Sequence, residues 1–280
     1  MNVLEYSHIN IEGYTAAIFN LTHEILKALN NKMMVGSIFF DLEKAFDSIN
    51  HSLLINKLPL YGITGKSKLL IESYLVKRFQ RVQLTNPFLD AKLDSKWMKV
   101  KHGVPQGSIL GPLLFILYIN DLPNAIMQNV TPIIFADDTS IVIARQYANE
   151  LQEDLTQTLI QISEWFKQNF LSLNINITYF TQFLSKNVEH SDINIIYENN
   201  YITKVSDLKF LGININNTLT WKSHIETILP KLTSACFTMR SIKPLISQQM
   251  LKAIYYSQFH SIILYGLMFY GNSAHSARVF

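Results

Sequence analysis

Two adjacent aspartates, Asp137 and Asp138, interrupt the apolar run "PIIFADDTSIVI", and a third, Asp41, sits inside "SIFFDLEKAFD" with no turn residue around it. Aspartate tolerates left-handed backbone and satisfies local amides, so the pair by itself reads as a hairpin turn. Asp41 has no such reading. A carboxylate at the end of an apolar strand must find a partner or take up a proton. The candidates are an ion pair with Lys44, a cap on the next helix, or a cation shared with other acids. Three carboxylates at strand ends offer the hard oxygens that suit Mg²⁺. Two ions held in that way clamp the attacking and leaving oxygens of a phosphoryl transfer. A third piece is the loop "HGVPQGSILGP". Gly103, Gly107 and Gly111 remove side chains where a backbone must approach something closely, Pro105 stiffens the path, and the Gln106 amide can donate and accept. Such a loop serves a helix entry as readily as a ligand cradle.

The acids can meet only if strands carry them. "VGSIFFDL" (35–42) reads as a buried strand and "TPIIFADDTSIVIA" as strand, tight turn, strand. Helical spacing places Ile18, Leu21, Ile25 and Leu29 on one face, and Leu70, Ile71, Tyr74 and Leu75 on another. Alternation in Arg81–Thr85 and Lys96–Lys101 suggests a hairpin with Val82, Leu84, Met98 and Val100 on its apolar side. "SILGPLLFILYIN" reads as an apolar helix that starts between Ser108 and Gly111, because Pro112 fits only the first turn. Asn149 with Gln152 resembles a capping box ahead of the stripe Leu151, Leu155, Leu159, Ile162 and Phe166. The C-terminal stretch reads as a small helical unit, with "FHSIILYGLMFYG" as a buried helix too short to span a bilayer. Strands and helices mix without strict alternation, so the expected class is α+β.

In order and content, these pieces resemble the reverse transcriptase of non-LTR (LINE-like) retrotransposons. "FFDLEKAFDSINH" is similar to the family's first palm motif, "GVPQGSILGPLLFILYINDLP" to its second, "FADDTSI" to its third and "LSLN" to its fourth. "LKFLGININNTLTWKSHI" resembles the hairpin and linker that lead to the thumb. The resemblance covers about residues 16–272 and implies a right-hand polymerase palm, an antiparallel sheet backed by helices, with partial fingers and a partial helical thumb. It divides the chain into partial fingers and first palm (residues 1–102), palm (103–205), and primer-grip hairpin with partial thumb (206–280). The implied reaction is addition of dNTPs to a DNA primer on an RNA template. Asp41, Asp137 and Asp138 would be the catalytic, metal-holding acids, with Mg²⁺ as the cofactor and Mn²⁺ as a substitute. Phe46 would exclude a 2′-hydroxyl, Gln106 and Gly107 would contact the incoming nucleotide, and Leu211, Gly212 and Lys222 would face primer and template. Lys231, Arg240 and Lys243 match thumb positions that can face duplex phosphates, or be plain solvated charge.

The chain also departs from the family. "YSHINIEGYTAA" lacks the Gly-Phe-Arg and Ser-Thr pattern expected before the first helix, and Ile177 stands where the fourth motif usually has lysine, a candidate proton donor to pyrophosphate. A catalytically inactive remnant that keeps the fold and at most binds nucleic acid is therefore the alternative. A group II intron maturase is a more distant option, disfavoured by "GVPQGSILGP" and the thumb linker. No endonuclease or Cys/His region is read alongside the polymerase motifs.

The composition is compatible with this. Hydrophobic residues make up 48% and charged residues 16% of the 280, which excludes a disordered tail. A net charge of +3 permits nucleic-acid binding without arguing for it. One cysteine, Cys236, excludes an internal disulfide and a cysteine zinc cluster. With no leader or targeting signal read at the start, an intracellular protein is expected, nuclear or cytoplasmic by family resemblance, without a membrane partner.

Overall fold

The structure, a computed structural model, describes residues 13–86, 91–185, 193–198 and 200–279. The opening residues, on which the missing leader and part of the missing fingers pattern were read, lie outside that set.

The described residues open with α1 (Gly13–Asn30) and enter β1 (Met34–Phe40), whose seven residues are all buried. Asp41 follows, then β2 (Leu42–Glu43), the short α2 (Ala45–Ser48), α3 (His51–Lys57) and α4 (Gly65–Leu75). Two ribbon segments come next, β3 (Phe79–Gln80) with β6 (Met98–Lys99), and β4 (Gln83–Asn86) with β5 (Ala91–Asp94). Then come α5 (Leu110–Ile119), β7 (Thr131–Phe135), β8 (Asp138–Arg145) and α6 (Ala148–Gln168). They are followed by β9 (Ser172–Leu173), β10 (Tyr179–Phe183), β11 (Ile196–Tyr197), β12 (Asn200–Tyr201) and β13 (Thr203–Lys204). The hairpin β14 (Asp207–Phe210) and β15 (Ile213–Asn216) leads to α7 (Lys222–Ile242), α8 (Gln248–Ile254), α9 (Ser261–Leu264) and α10 (Leu267–Tyr270).

The central sheet has the order β13-β10-β1-β8-β7, antiparallel except for the β10–β13 pair. Helices cover both faces, which explains why its strands are nearly continuous apolar runs. Strand alternation sends Ile38, Phe40, Ile141, Ile143 and Phe180 into one core with α5 and α6. Val35, Phe39, Val142 and Phe183 enter the other, with α1, β14, β15 and α7. Helix α6 lies so close to β1 that a Cβ on Gly36 would meet Leu155 Cδ1 at 2.8 Å. Its stripe of Leu151, Leu155, Leu159, Ile162 and Phe166 is fully buried, each side chain contributing roughly 1.5–3 kcal/mol. The α+β palm architecture is as expected. Among the described residues no helix is long and apolar enough to cross a membrane.

Four expectations are corrected. Asn149 is not the cap of α6: Tyr147 is, because the first intrahelical bond runs from Leu151 N to Tyr147 O, and no side chain caps that end. Leu70 points to solvent, since α4 lies at the margin and packs along Ile71 and Leu75, about a quarter-turn away. The alternating Val82, Leu84 and Met98 do not mark a buried face; all three are exposed on a ribbon that stands off the core. "FHSIILYGLMFYG" is no single buried helix: a wide π-helical segment ends at His260, and Gly266 at φ +73° separates α9 from α10. Only Gly266 and Tyr270 of that stretch are fully enclosed.

Candidate active site

The sheet register brings the three acids to one end. Phe40 pairs with Thr139, so one further step along β1 and β8 sets Asp41 opposite Asp138. Phe135 pairs with Asp138 across the β7–β8 hairpin, which leaves Ala136 and Asp137 as a two-residue turn. Ala136 adopts φ +52°, a left-handed conformation that costs a non-glycine residue about 1–2 kcal/mol. Strain is thus stored directly beneath the acids. The Asp41 carbonyl accepts a bond of 2.9 Å from Asn174 N, and Leu42 pairs with Leu173. The "LSLN" segment therefore fixes the backbone of the first acid.

The carboxyls feel one another. Asp41 is raised above the ordinary range by partial withdrawal from water, then by Asp137 and Glu43. Asp138 is pushed up to about 6, again first by withdrawal from water, then by Asp137 and Asp41. The residue as a whole still reaches solvent. No basic side chain among the described residues pairs with any of the three, and Lys44 makes no ion pair with Asp41. Carboxylates gathered without a counter-charge raise one another's pKa, and they offer the hard oxygens that a divalent cation takes. Among the described residues no three acidic, histidine or cysteine side chains close round a common point. Mg²⁺ does not need that cage: it commonly takes one or two carboxylates and fills its shell with water and substrate phosphates. The donors present fit an open site of that kind.

The glycine-rich loop is strapped beside this end. Gly103 N donates to Ile49 O at 2.8 Å and Val104 N to Phe46 O at 2.9 Å. His51 Nε2 donates to Gly103 O at 2.7 Å. Gly103 sits at φ +83°, and a Cβ there would lie 2.8 Å from the Asp47 backbone, so only glycine permits the approach. Ser108 Oγ donates to Pro105 O at 2.7 Å and accepts from Gly111 N at 3.0 Å, closing the entry to α5. Phe46 is half-buried with its ring 4.9 Å from that of Phe115 on α5. Gln106 and Gly107 are exposed at the crest of the loop.

Leu211 and Gly212, at φ +45° and +82°, form the turn between β14 and β15. The Tyr265 hydroxyl donates to Leu211 O, and Tyr14 stacks on Tyr265 at 4.4 Å. Phe210 packs edge-on against Phe39 at 5.5 Å, tying this turn to the strand that ends in Asp41. Lys222 is exposed and lies 3.9 Å from Glu226; no contact joins it to the acids. Trp221 and His224 are buried, so they are packing residues.

One supporting network escaped the sequence reading. The Tyr118 hydroxyl donates to Asn169 O at 2.5 Å and accepts from Asn50 N at 3.4 Å. Buried Lys57 donates to Tyr118 O at 2.8 Å and to Asp121 Oδ1 at 2.7 Å, its ammonium 4.9 Å from the Trp165 ring centre. The network locks α3, α5 and α6 together beneath the loop. Its only sequence signal was a tyrosine inside an otherwise apolar helix.

The comparison with known proteins decides the family. The reverse transcriptase (RNA-dependent DNA polymerase) profile matches residues 7–215. The chain belongs to the reverse transcriptase family. It is similar to a probable RNA-directed DNA polymerase from transposon BS of Drosophila melanogaster, 27% identical over 92% of this chain and 29% of the relative. The RNA-directed DNA polymerase from mobile element jockey of Drosophila funebris is 25% identical over 77% of this chain and 23% of its own length. A Pol polyprotein from the type-1 retrotransposable element R2 of Popillia japonica is 24% identical over 74% and 35%. The non-LTR resemblance is thereby borne out, and this reverse transcriptase spans about a third or less of these curated relatives. A telomerase from Candida albicans, solved with a fragment of telomeric RNA, overlaps 98% of this chain and 50% of its own at a TM-score of 0.49 and 10% identity. That likeness is too loose to carry functional weight.

Proposed function

We propose that this reverse transcriptase domain adds dNTPs to a DNA primer on an RNA template, in the nucleus or cytoplasm where a retrotransposon transcript is copied. The observation that carries the reading is the opposition of Asp41 to Asp138 across β1 and β8, with Asp137 at the turn and no cation from the described residues among them. The primer 3′-oxygen forms a bond to the α-phosphorus of the dNTP, the bond from that phosphorus to the bridging oxygen breaks as pyrophosphate leaves, and the hydroxyl proton passes to solvent. Reverse transcriptases generally depend on divalent metal; Asp41 and Asp137 would hold Mg²⁺, with Asp138 completing the set. When bound, the metal lowers the pKa of the primer hydroxyl and offsets charge on the leaving pyrophosphate. Phe46, braced by Phe115, fits a wall beneath the sugar that leaves no space for a 2′-hydroxyl. Gln106 and Gly107, on the exposed crest, face the nucleotide. Leu211 and Gly212 hold the primer end, and Lys222 supplies a phosphate contact from the thumb.

A specific observation favours a second reading. Ile177 is 42% exposed, so a side chain with no proton to give stands at the fourth-motif lysine position, as in an inactive remnant. Primer extension on an RNA template with Mg²⁺, beside Asp138→Ala, separates the two. Extension above the variant is expected; equal background in both leaves the remnant.

A further inference from the structure

Residues 77–101 carry seven basic side chains and two acidic ones, a surplus of five in a chain whose overall surplus is three. The remainder of the protein is therefore slightly acidic, and its positive charge is concentrated on the ribbon. Here Phe79 pairs with Lys99 and Gln80 with Met98, whereas the next recorded pair is Gln83 with Asp94. Two residues, Arg81 and Val82, thus oppose three, Ser95, Lys96 and Trp97. That is a bulge, which coils the ribbon and re-aims its side chains. Alternation puts Phe79 and Arg81 on the same face as Trp97 and Lys99. The Arg81 guanidinium lies 4.9 Å from the Trp97 ring centre and is steadied by Asp94 at 2.9 Å. Phe79 is 58% and Trp97 61% exposed. Two large rings left in water on one face, interleaved with cations, are not explained by folding.

We propose that this face is a stacking platform for single-stranded RNA, the template strand approaching the cleft; naming that strand rests on the function proposed above. Exposed base faces stack on Phe79 and Trp97, while Lys96, Lys99 and Lys101 take the phosphates. A duplex hides its base faces and has no use for the rings. Rings and arginine also occur at protein interfaces, but lysine is depleted there, and it is the lysines around these rings that favour a phosphate-bearing strand. The placement suits a template guide: β6 runs through Val100, Lys101 and His102 into Gly103, the residue strapped to the segment bearing Phe46.

The test is fluorescence anisotropy of a labelled single-stranded RNA of about 20 nucleotides, titrated with the full chain without metal or dNTP. The double variant Phe79→Ala/Trp97→Ala is expected to bind at least tenfold more weakly, since each stacked base contributes about 1–3 kcal/mol. Trp97→Phe stays close to the wild type, as does Tyr147→Ala, which removes an exposed aromatic elsewhere. In the unmodified protein the RNA quenches tryptophan emission from Trp97, because Trp165 and Trp221 are buried; that readout stands even where a variant folds poorly. Double-variant binding within twofold of wild type, absence of quenching, equal affinity for a fully paired RNA duplex, or a preference for single-stranded DNA would each overturn the proposal. Primer extension on the same RNA, run separately, reports on the polymerase reaction alone.

Discussion

Replacing Asp138 by asparagine removes one charge from a cluster that no basic side chain among the described residues offsets, so the metal-free protein is expected to become more stable. The Asp138 carboxyl moves from an ordinary value of 3.8 to about 6 on folding. At full strength that difference is roughly 3 kcal/mol; the residue is exposed to solvent, and screening reduces it to about 1 kcal/mol. A carboxyl whose folded value lies above its unfolded one holds its proton more tightly in the folded state. Its stabilising contribution is present in full below the unfolded value and is lost as pH rises through about 6. Asp138→Asn should therefore raise Tm by ~2–4 °C at about pH 7.5 in EDTA, and the gain should shrink by more than half near pH 4.5. With Mg²⁺ held by these acids as proposed above, the ion should raise the Tm of the wild type more than that of the variant. Differential scanning fluorimetry at both pH values, with and without Mg²⁺, measures all of this. A variant less stable than wild type at pH 7.5, or a difference independent of pH, would refute the charge-cluster reasoning.

Gly103→Ala places a Cβ 2.8 Å from the Asp47 backbone at φ +83° and should cost about 2–4 kcal/mol in urea unfolding, whereas Gly107→Ala, left-handed but in open space, should cost only about 1 kcal/mol. Equal costs would show that the strap to α2 is not tight. Tyr118→Phe leaves Asn169 O and Asn50 N without their partner and should cost about 1–3 kcal/mol; a change under 0.5 kcal/mol by the same unfolding measurement would argue against the network. Ile177→Lys, at a half-exposed position, should alter stability by no more than about 0.5 kcal/mol while raising the single-turnover extension rate. An unchanged rate across pH removes proton donation from the account of that site.

What the sequence disclosed was local or periodic. The strands bearing Asp41 and the Asp137–Asp138 turn were legible because an acid in an apolar run stands out. Which acid faces Asp41 was not, since that follows from pairing β1 with β8 about a hundred residues away. The same limit hid Lys57, Tyr118 and Asn169, whose meaning lies wholly in non-local partners. Leu70 and Asn149 were misplaced for a different reason: spacing gives a helix its faces but not what stands opposite, nor the residue at which it begins. Alternation at Val82, Leu84 and Met98 misled because a ribbon beyond the core alternates without burying either side.

Strand β1 lies between β8 and β10 in the middle of the sheet, with a core against each face. Its amides have no route to solvent short of opening both cores, so they should be among the slowest in the protein to exchange with deuterium. The backbones of Asp41 and Asp138 beyond its end are consequently held facing each other for as long as the sheet stays closed. Tension between their carboxylates has three exits: taking up a proton, taking up a cation, or unfolding the domain.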